Sequence, residues 1–267
     1  MSVYATGTTG TIGQHLKNVI PLRGRLYPYT LTLDQTDNLT SVLHLAAIVG
    51  SDQVNADIDY ARKVNVDGTI KLAEEVFNNS NAKFVFASTS HVYEPSDRIL
   101  TEDSNIKPHS NYAFQKFEAE EACREIFRNN SERLLILRVF SVLGWSCGPK
   151  SLAASIIRQI NEPNSKVIKN GNDIRDFLSP KQIALISLQL CQNVSAHGIV
   201  NICSGMGRTV ASAARQFSGE DASCEEGKSQ IPFIVGDNER LKKFLGVDQL
   251  RWDLDDYEER FLSKKFT

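Results

Sequence analysis

Apolar positions along the chain recur with two periods, and the places where one period gives way to the other mark its elements. The opening SVYATG is short, β-prone and ends in glycine, which predicts a strand running into a turn. In TIGQHLKNVI, residues Ile12, Leu16, Val19 and Ile20 fall at helical spacing and predict a helix immediately after that turn. RLYPYTLTLD is strand-like but broken by Pro28, whereas the unbroken apolar run SVLHLAAIV suits a strand buried on both faces. A polar stretch from Asp52 to Asp59 leads into YARKVNVDGTIKLAEEVF, a helical pattern that ends near Asn78 and Asn79. KFVFAST is another buried strand, and a loop holding Pro95 and Pro108 separates it from the long helix NYAFQKFEAEEACREIF. RLLILRVFSVLG supplies the next strand and its exit.

Apolar strands alternating with amphipathic helices at this spacing predict an α/β fold with a doubly wound parallel sheet. From about Trp145 the alternation blurs. A helix near Leu152 to Ile160 and the helical PKQIALISLQLCQ predict a small lobe. The expected organisation is a sheet domain over residues 1–144, with residues 145–267 mostly a small lobe interleaved with the last strands.

Bulk properties narrow the picture. A chain of 267 residues with 41% hydrophobic content can bury one sizeable core. A net charge of -2 without a block of like charge leaves no electrostatic footprint for nucleic acid or an anionic membrane. Cys123, Cys147, Cys191, Cys203 and Cys224 are scattered and lack the short paired spacing of a zinc site, so they read as reduced thiols and no metal is expected. With no leader and no apolar stretch long enough for a bilayer, the expected location is the cytoplasm.

Two motifs carry chemistry. In TGTTGTIG, the spacing of Gly7, Gly10 and Gly13 turns the chain sharply after the first strand, so that backbone N–H groups around Thr9 and from Gly10 through Thr11 to Ile12 can meet a pyrophosphate. The second is Tyr112-Ala-Phe-Gln-Lys116, which sets a phenol and an ammonium one turn apart on one helix face. There Lys116 is expected to depress the phenol pKa and reach a ribose hydroxyl, making Tyr112 a proton donor or acceptor. Just upstream, Ser88, Thr89 and Ser90 bring hydroxyls to the carboxyl end of a strand, the edge of such a sheet where ligands bind.

In this order the motifs resemble the extended short-chain dehydrogenases, the NAD-dependent epimerase/dehydratase family, whose members have a Rossmann fold and modify nucleotide sugars. TGTTGTIG resembles the family's glycine loop. HLAA at His44–Ala47 is similar to the strand along the cofactor, which places Leu45, Ala46 and Ala47 there. NVDGT, with Asn65, is similar to the helix whose asparagine supports the site. ASTSHVY resembles the strand carrying the catalytic hydroxyl, with Tyr93 as marker, and YAFQK resembles the tyrosine–lysine pair, followed by Glu120. LRVFSVLG and RDFLSPKQIA resemble two further segments that meet the substrate. The resemblance implies Thr89, Tyr112 and Lys116 as catalytic residues, NAD or NADP as cofactor, and a substrate held by Thr89, Ser90, His91, Ser141 and Arg175, the last on a phosphate. It also implies a homodimer through the helices over Lys63–Phe77 and Tyr112–Phe127. Val64, Ile70, Val76, Phe77, Phe114, Phe117 and Phe127 give these helices more apolar surface than one sheet-facing stripe needs.

The departures from the pattern matter as much. Thr89 is followed by Ser90 and His91 instead of the Asp-Glu pair of the dehydratases, which disfavours dehydration. Ser141 stands where asparagine is usual, Leu143 where tyrosine is usual, and Ser179-Pro180-Lys181 replaces an acidic stretch. An acidic residue about 20 positions past the glycines normally binds the adenosine ribose. Asp34 is the nearest candidate, Asp37 competes, and Arg23 and Arg25 could face a 2′-phosphate, so NAD and NADP stay open. The expected activity is reduction of a 4-keto nucleotide sugar. The alternatives are 4-epimerisation, reduction of a small carbonyl, and, from another class, a non-catalytic dinucleotide sensor.

Overall fold

The computed structural model describes residues 2–33, 38–144, 147–148, 151–161, 168–218 and 223–250. Its strands are β1 (Ser2–Thr6), β2 (Ile20–Pro21), β3 (Leu39–His44), β4 (Lys83–Thr89), β5 (Leu134–Val139), β6 (Ser141–Val142), β7 (Ile174–Leu178), β8 (Gly198–Ile202), β9 (Gly207–Thr209) and β10 (Phe233–Ile234). Its α-helices are α1 (Ser51–Ala56), α2 (Ile58–Arg62), α3 (Gly68–Asn79), α4 (Asn111–Ile126), α5 (Leu152–Asn161), α6 (Pro180–Gln192), α7 (Val210–Ser218) and α8 (Glu239–Leu245).

Six strands form one sheet in the order β2-β1-β3-β4-β5-β8, with every neighbouring pair parallel. Parallel pairing demands a crossover at each step, and α3, α4 and α6 supply the long ones. These helices cover both faces: one core gathers Leu72, Val76, Phe84, Phe86 and Phe127, the other Leu43, Leu137, Ile183 and Leu190. Burial from both sides is why β5 is apolar nearly throughout. A second, smaller sheet sets β10, β7 and β6 side by side with β9 antiparallel on β7, and packs with α5 and α7 around Leu143, Ile156, Phe177 and Phe217. The doubly wound α/β fold expected from the pattern is therefore present. Strand order reverses at β1, with β2 on one side and β3 on the other, so the carboxyl ends of β1 and β3 border the crevice where such sheets take ligands.

Two expected elements are absent. The helix over Ile12–Ile20 is replaced by one 3-10 turn, Gly13–His15, after which Leu16 is extended and Asn18 takes a φ of 58°. Ile12, Leu16 and Val19 still pack against the core, so the apolar spacing reported burial correctly and helicity wrongly. The physical reason is reach: β2 pairs only with Tyr4 and Ala5, so the chain descends about two residues' worth of strand, some 7 Å, which a few extended residues cover without a helix. The described residues of RLYPYTLTLD, 25–33, likewise form no strand, only an isolated bridge between Leu26 and Tyr29. Its apolar residues Leu26, Tyr29, Leu31 and Leu33 instead pack onto the core beneath α3, where Glu75 accepts from the Tyr29 hydroxyl at 2.5 Å and the Leu33 amide at 2.9 Å.

Of the residues expected to exceed one stripe on the two central helices, Val76 and Phe127 are fully buried in the chain's own core, with Val64 and Phe77 packed at its edge. Phe114 remains 57% exposed.

One buried network ties β1, β3 and α3 together. His44 is fully buried between the rings of Phe84 and Phe86. The Thr69 hydroxyl donates to the Asn65 carbonyl at 2.8 Å, so it accepts from His44 Nε2 at 3.0 Å. That tautomer leaves Nδ1 to accept from the Thr6 hydroxyl at 2.7 Å, and Thr6 in turn accepts from the Ala46 amide at 3.2 Å. Burial, then the charge of Lys116, lowers the imidazole pKa to about 3 from its usual 6.5. The unfolded chain thus binds a proton that the folded chain refuses. This contribution is whole above pH 6.5 and is lost as pH falls toward 3, by about 1.4 kcal/mol per unit. Urea midpoints measured from pH 7 to 4 should fall less steeply in His44→Gln than in the native chain. Equal slopes would contradict the network.

Candidate active site

The glycine loop is built by close backbone approach. Gly7 leaves β1 with φ of 69°, and a Cβ there would lie 2.7 Å from the Ala46 nitrogen. A Cβ on Gly13 would lie 2.0 Å from the Gly7 carbonyl oxygen. The Gly10 amide donates to the Gly7 carbonyl at 3.0 Å and the Gln14 amide to the Gly10 carbonyl at 3.1 Å. The loop therefore folds back against Leu45, Ala46 and Ala47 at the exit of β3, with Thr9 and Gly10 exposed and Thr11 and Ile12 half-buried. This cradle, which any side chain would fill, fits a dinucleotide pyrophosphate. One 3-10 turn has no appreciable macrodipole, however, so the loop offers amides alone and not the charged helix end the sequence implied. Asp34 and Asp37 lie outside the described residues.

The hydroxyl and phenol come from adjoining elements. Thr89 ends β4, and its Oγ accepts from the His91 amide at 3.3 Å, leaving its own proton to donate. Ser90 is buried in the 3-10 turn that follows. Ser110 caps α4 by accepting from the Ala113 amide, which puts Tyr112 on the first turn and Lys116 one turn further, with α4 packed on β4 and on that 3-10 turn. The Lys116 ammonium sits 4.0 Å from the centre of the Phe86 ring. Burial lowers its pKa to about 7, against the pull of Glu120. Burial alone pushes the Tyr112 phenol up to about 12. This reverses the expected depression, because the ammonium faces Phe86 and makes no hydrogen bond to the phenol. Tyr112 is protonated at neutral pH.

Asn65 is buried in a π turn, Lys63–Asp67, set between α2 and α3. Its amide donates to the Ile48 carbonyl and to Gln115 Oε1, and its Oδ1 accepts from the Ile48 amide. This fastens the chain just past Ala47 to the residue beside Lys116. Asn65 thus holds the site together from behind.

The residues expected to meet substrate are less uniform. His91 Nδ1 lies 3.0 Å from Nε2 of His109, which precedes the α4 cap. Burial first, then His109 and Arg175, lowers His91 to about 4, so the pair is neutral at pH 7. Ser141, in β6, is half-buried. Arg175 is engaged by its own lobe: its guanidinium donates to Asp173 at 2.8 Å and to the carbonyls of Ile174 and Ile231. The neighbouring Asp176 accepts from the amides of Ser204, Gly205 and Gly236 and knits the lobe's loops together. Among the described residues no group of side chains could hold a metal ion, no helix is long and apolar enough to cross a membrane, and the cysteines are free.

The family model described as the NAD dependent epimerase/dehydratase family matches residues 3–203. The chain belongs to that family. Among curated members, GDP-6-deoxy-D-talose 4-dehydrogenase of Aggregatibacter actinomycetemcomitans is 24% identical, over 93% of this chain and 92% of that protein. UDP-glucose 4-epimerase 2 of Oryza sativa subsp. japonica is 28% identical over 64% of this chain, which spans only 47% of the rice protein. Of the solved structures, the UDP-glucuronic acid 4-epimerase from Bacillus cereus, in complex with UDP-glucuronic acid and NAD, shares the fold with a TM-score of 0.82 at 21% identity over the whole of both chains. RMD from Pseudomonas aeruginosa complexed with NADPH has a TM-score of 0.81 at 20% identity, over 97% of this chain and all of that one.

Within this epimerase/dehydratase frame the sequence reading missed His109, Gln115 and the Phe86 ring under Lys116. Gln115 had a signal, since it adjoins the lysine on a helix facing the sheet. His109 had none, because its approach to His91 is purely tertiary.

Proposed function

We propose that the chain reduces the 4-keto group of a nucleotide-activated sugar with NADH or NADPH. The observation that carries the reading is the protonated phenol of Tyr112, at the carboxyl edge of the sheet beside the strand that ends in Thr89. A protonated phenol is the form that gives a proton to a carbonyl oxygen. The bound nicotinamide supplies the hydride. Tyr112 Oη delivers the proton to the same oxygen, Thr89 Oγ donates a hydrogen bond to it, and Lys116 holds the ribose. Gly7 to Gly13, with Leu45 to Ala47, hold the dinucleotide. Ser90, His91 and Ser141 face the sugar, and residues 145–267 supply most of the substrate lobe. Arg175 meets a phosphate only by releasing part of its bond set to Asp173. The near end-to-end match to a 4-dehydrogenase supports the reading, as does the lack of an Asp-Glu pair after Thr89.

The second reading, 4-epimerisation, is favoured by the epimerases among the relatives. Incubation with a panel of nucleotide 4-keto sugars should consume reduced nicotinamide stoichiometrically. Interconversion of two epimers without change in nicotinamide absorbance would replace the reductase by the epimerase. A homodimer through α3 and α4 would use Phe114 with the exposed Ile58 and Tyr60 of α2, and a monomeric mass by light scattering would count against it.

A further inference from the structure

We infer that Arg23 and Arg25 select a cofactor bearing a 2′-phosphate, NADPH over NADH. The inference rests on the dinucleotide reading of the glycine loop and concerns the adenosine end of the same site. In a doubly wound sheet the residue just past the strand after the glycine loop meets the adenosine ribose: a carboxylate there hydrogen-bonds the free 2′-hydroxyl, while an arginine accommodates the 2′-phosphate. Counting about 20 positions finds that residue only when a helix fills the interval. Here the helix is one 3-10 turn, and β2 arrives early, at Ile20 and Pro21. Register fixes the result. Pro21 pairs with Ala5, and the Leu22 amide, one residue past β2, still donates to the Ala5 carbonyl at 2.8 Å, so Arg23 is the first residue beyond this pairing, abreast of the turn that begins at Gly7.

Gly24, with φ of 128°, turns the chain there, and the Arg25 amide is fixed by the Thr30 hydroxyl at 2.8 Å. Both arginines are exposed, and neither guanidinium has a hydrogen bond or ion pair among the described residues. No aspartate or glutamate occurs anywhere before Asp34, so no carboxylate on this stretch can receive a ribose 2′-hydroxyl or neutralise the two cations. A carboxylate chosen by counting, Asp34, follows β2 by a whole loop. The edge where the ribose lies is cationic, and a phosphate dianion is its complement.

The test is direct binding, read by nicotinamide fluorescence without substrate, with adenosine 2′,5′-bisphosphate and ADP as competitors. NADPH should bind on the order of tenfold or more tighter than NADH, as charge-assisted bonds to one phosphate imply. The bisphosphate should displace it better than ADP. In the double variant Arg23→Ser, Arg25→Ser the NADPH to NADH affinity ratio should fall toward one. Equal affinities in the native chain, or a ratio unmoved by the double variant, overturn the inference and leave the glycine-loop reading standing. Failure to bind either nucleotide overturns that reading as well.

Discussion

Tyr112→Phe should lose turnover by about 10²–10⁴-fold while binding nicotinamide cofactor as the native chain does. The substitution removes one oxygen from a side chain on the first turn of α4. The Ser110 cap, the packing of Ala113 and Ala119 and the Asn65–Gln115 bond do not depend on it. What disappears is the proton. The phenol, held up at about 12 by burial, is protonated through the whole working range, so the native enzyme should show no limb at neutral pH from Tyr112 itself. Lys116 differs, because its lowered pKa of about 7 means that its charge is present below that pH and lost above it. Activity should therefore decline on the alkaline side of neutrality. Lys116→Ala should weaken cofactor binding as well as turnover, a joint loss that Tyr112→Phe does not produce. Wild-type turnover in the phenylalanine variant would remove Tyr112 from the mechanism.

Sequence showed the sheet, and placed the candidate Tyr112–Lys116 pair on one helix, because both are written in local spacing. Unbroken apolar runs such as KFVFAST can be satisfied only by burial on two faces, and a Tyr and Lys four positions apart share a face in any helix. The connection from β1 to β2 was opaque for the opposite reason. Ile12, Leu16 and Val19 are as compatible with a buried irregular segment as with a helix, and only the length of β2 decides between them. That length is set by pairing with Tyr4 and Ala5, a contact across the sheet that no local period encodes. The same blindness left the ribose assignment open among Asp34, Asp37, Arg23 and Arg25. It also gave Tyr112 a depressed pKa, since helix spacing places Lys116 near the phenol but does not say that its ammonium turns to Phe86.

Glu120→Ala should destabilise the fold by about 3–5 kcal/mol, the largest stability effect expected outside the glycine loop. Glu120 lies one turn beyond Lys116 with no solvent exposure, and Arg138, in β5, is 2% exposed. The guanidinium grips both carboxylate oxygens, through Nε at 3.2 Å to each and Nη2 at 2.7 Å, with its plane near the Tyr93 ring at 4.7 Å. This pair pins the middle of α4 to the sheet. Removing the carboxylate leaves a cation that burial gives no route to water, and its Nη1 already lacks a partner. Removing both charges is milder, because well-packed apolar residues of similar volume often replace such pairs at little cost. The measurement is a double-mutant cycle by urea denaturation with Glu120→Leu, Arg138→Met and the double variant. Each single change should cost several kcal/mol and the double change less than their sum. Glu120→Leu should also shift the alkaline limb of activity to lower pH, since Glu120 is the charge that holds Lys116 up, whereas Arg138→Met, which keeps that charge, should not. Additive losses, or singles costing under about 1 kcal/mol, the range of exposed pairs, would show that the pair does not hold the helix.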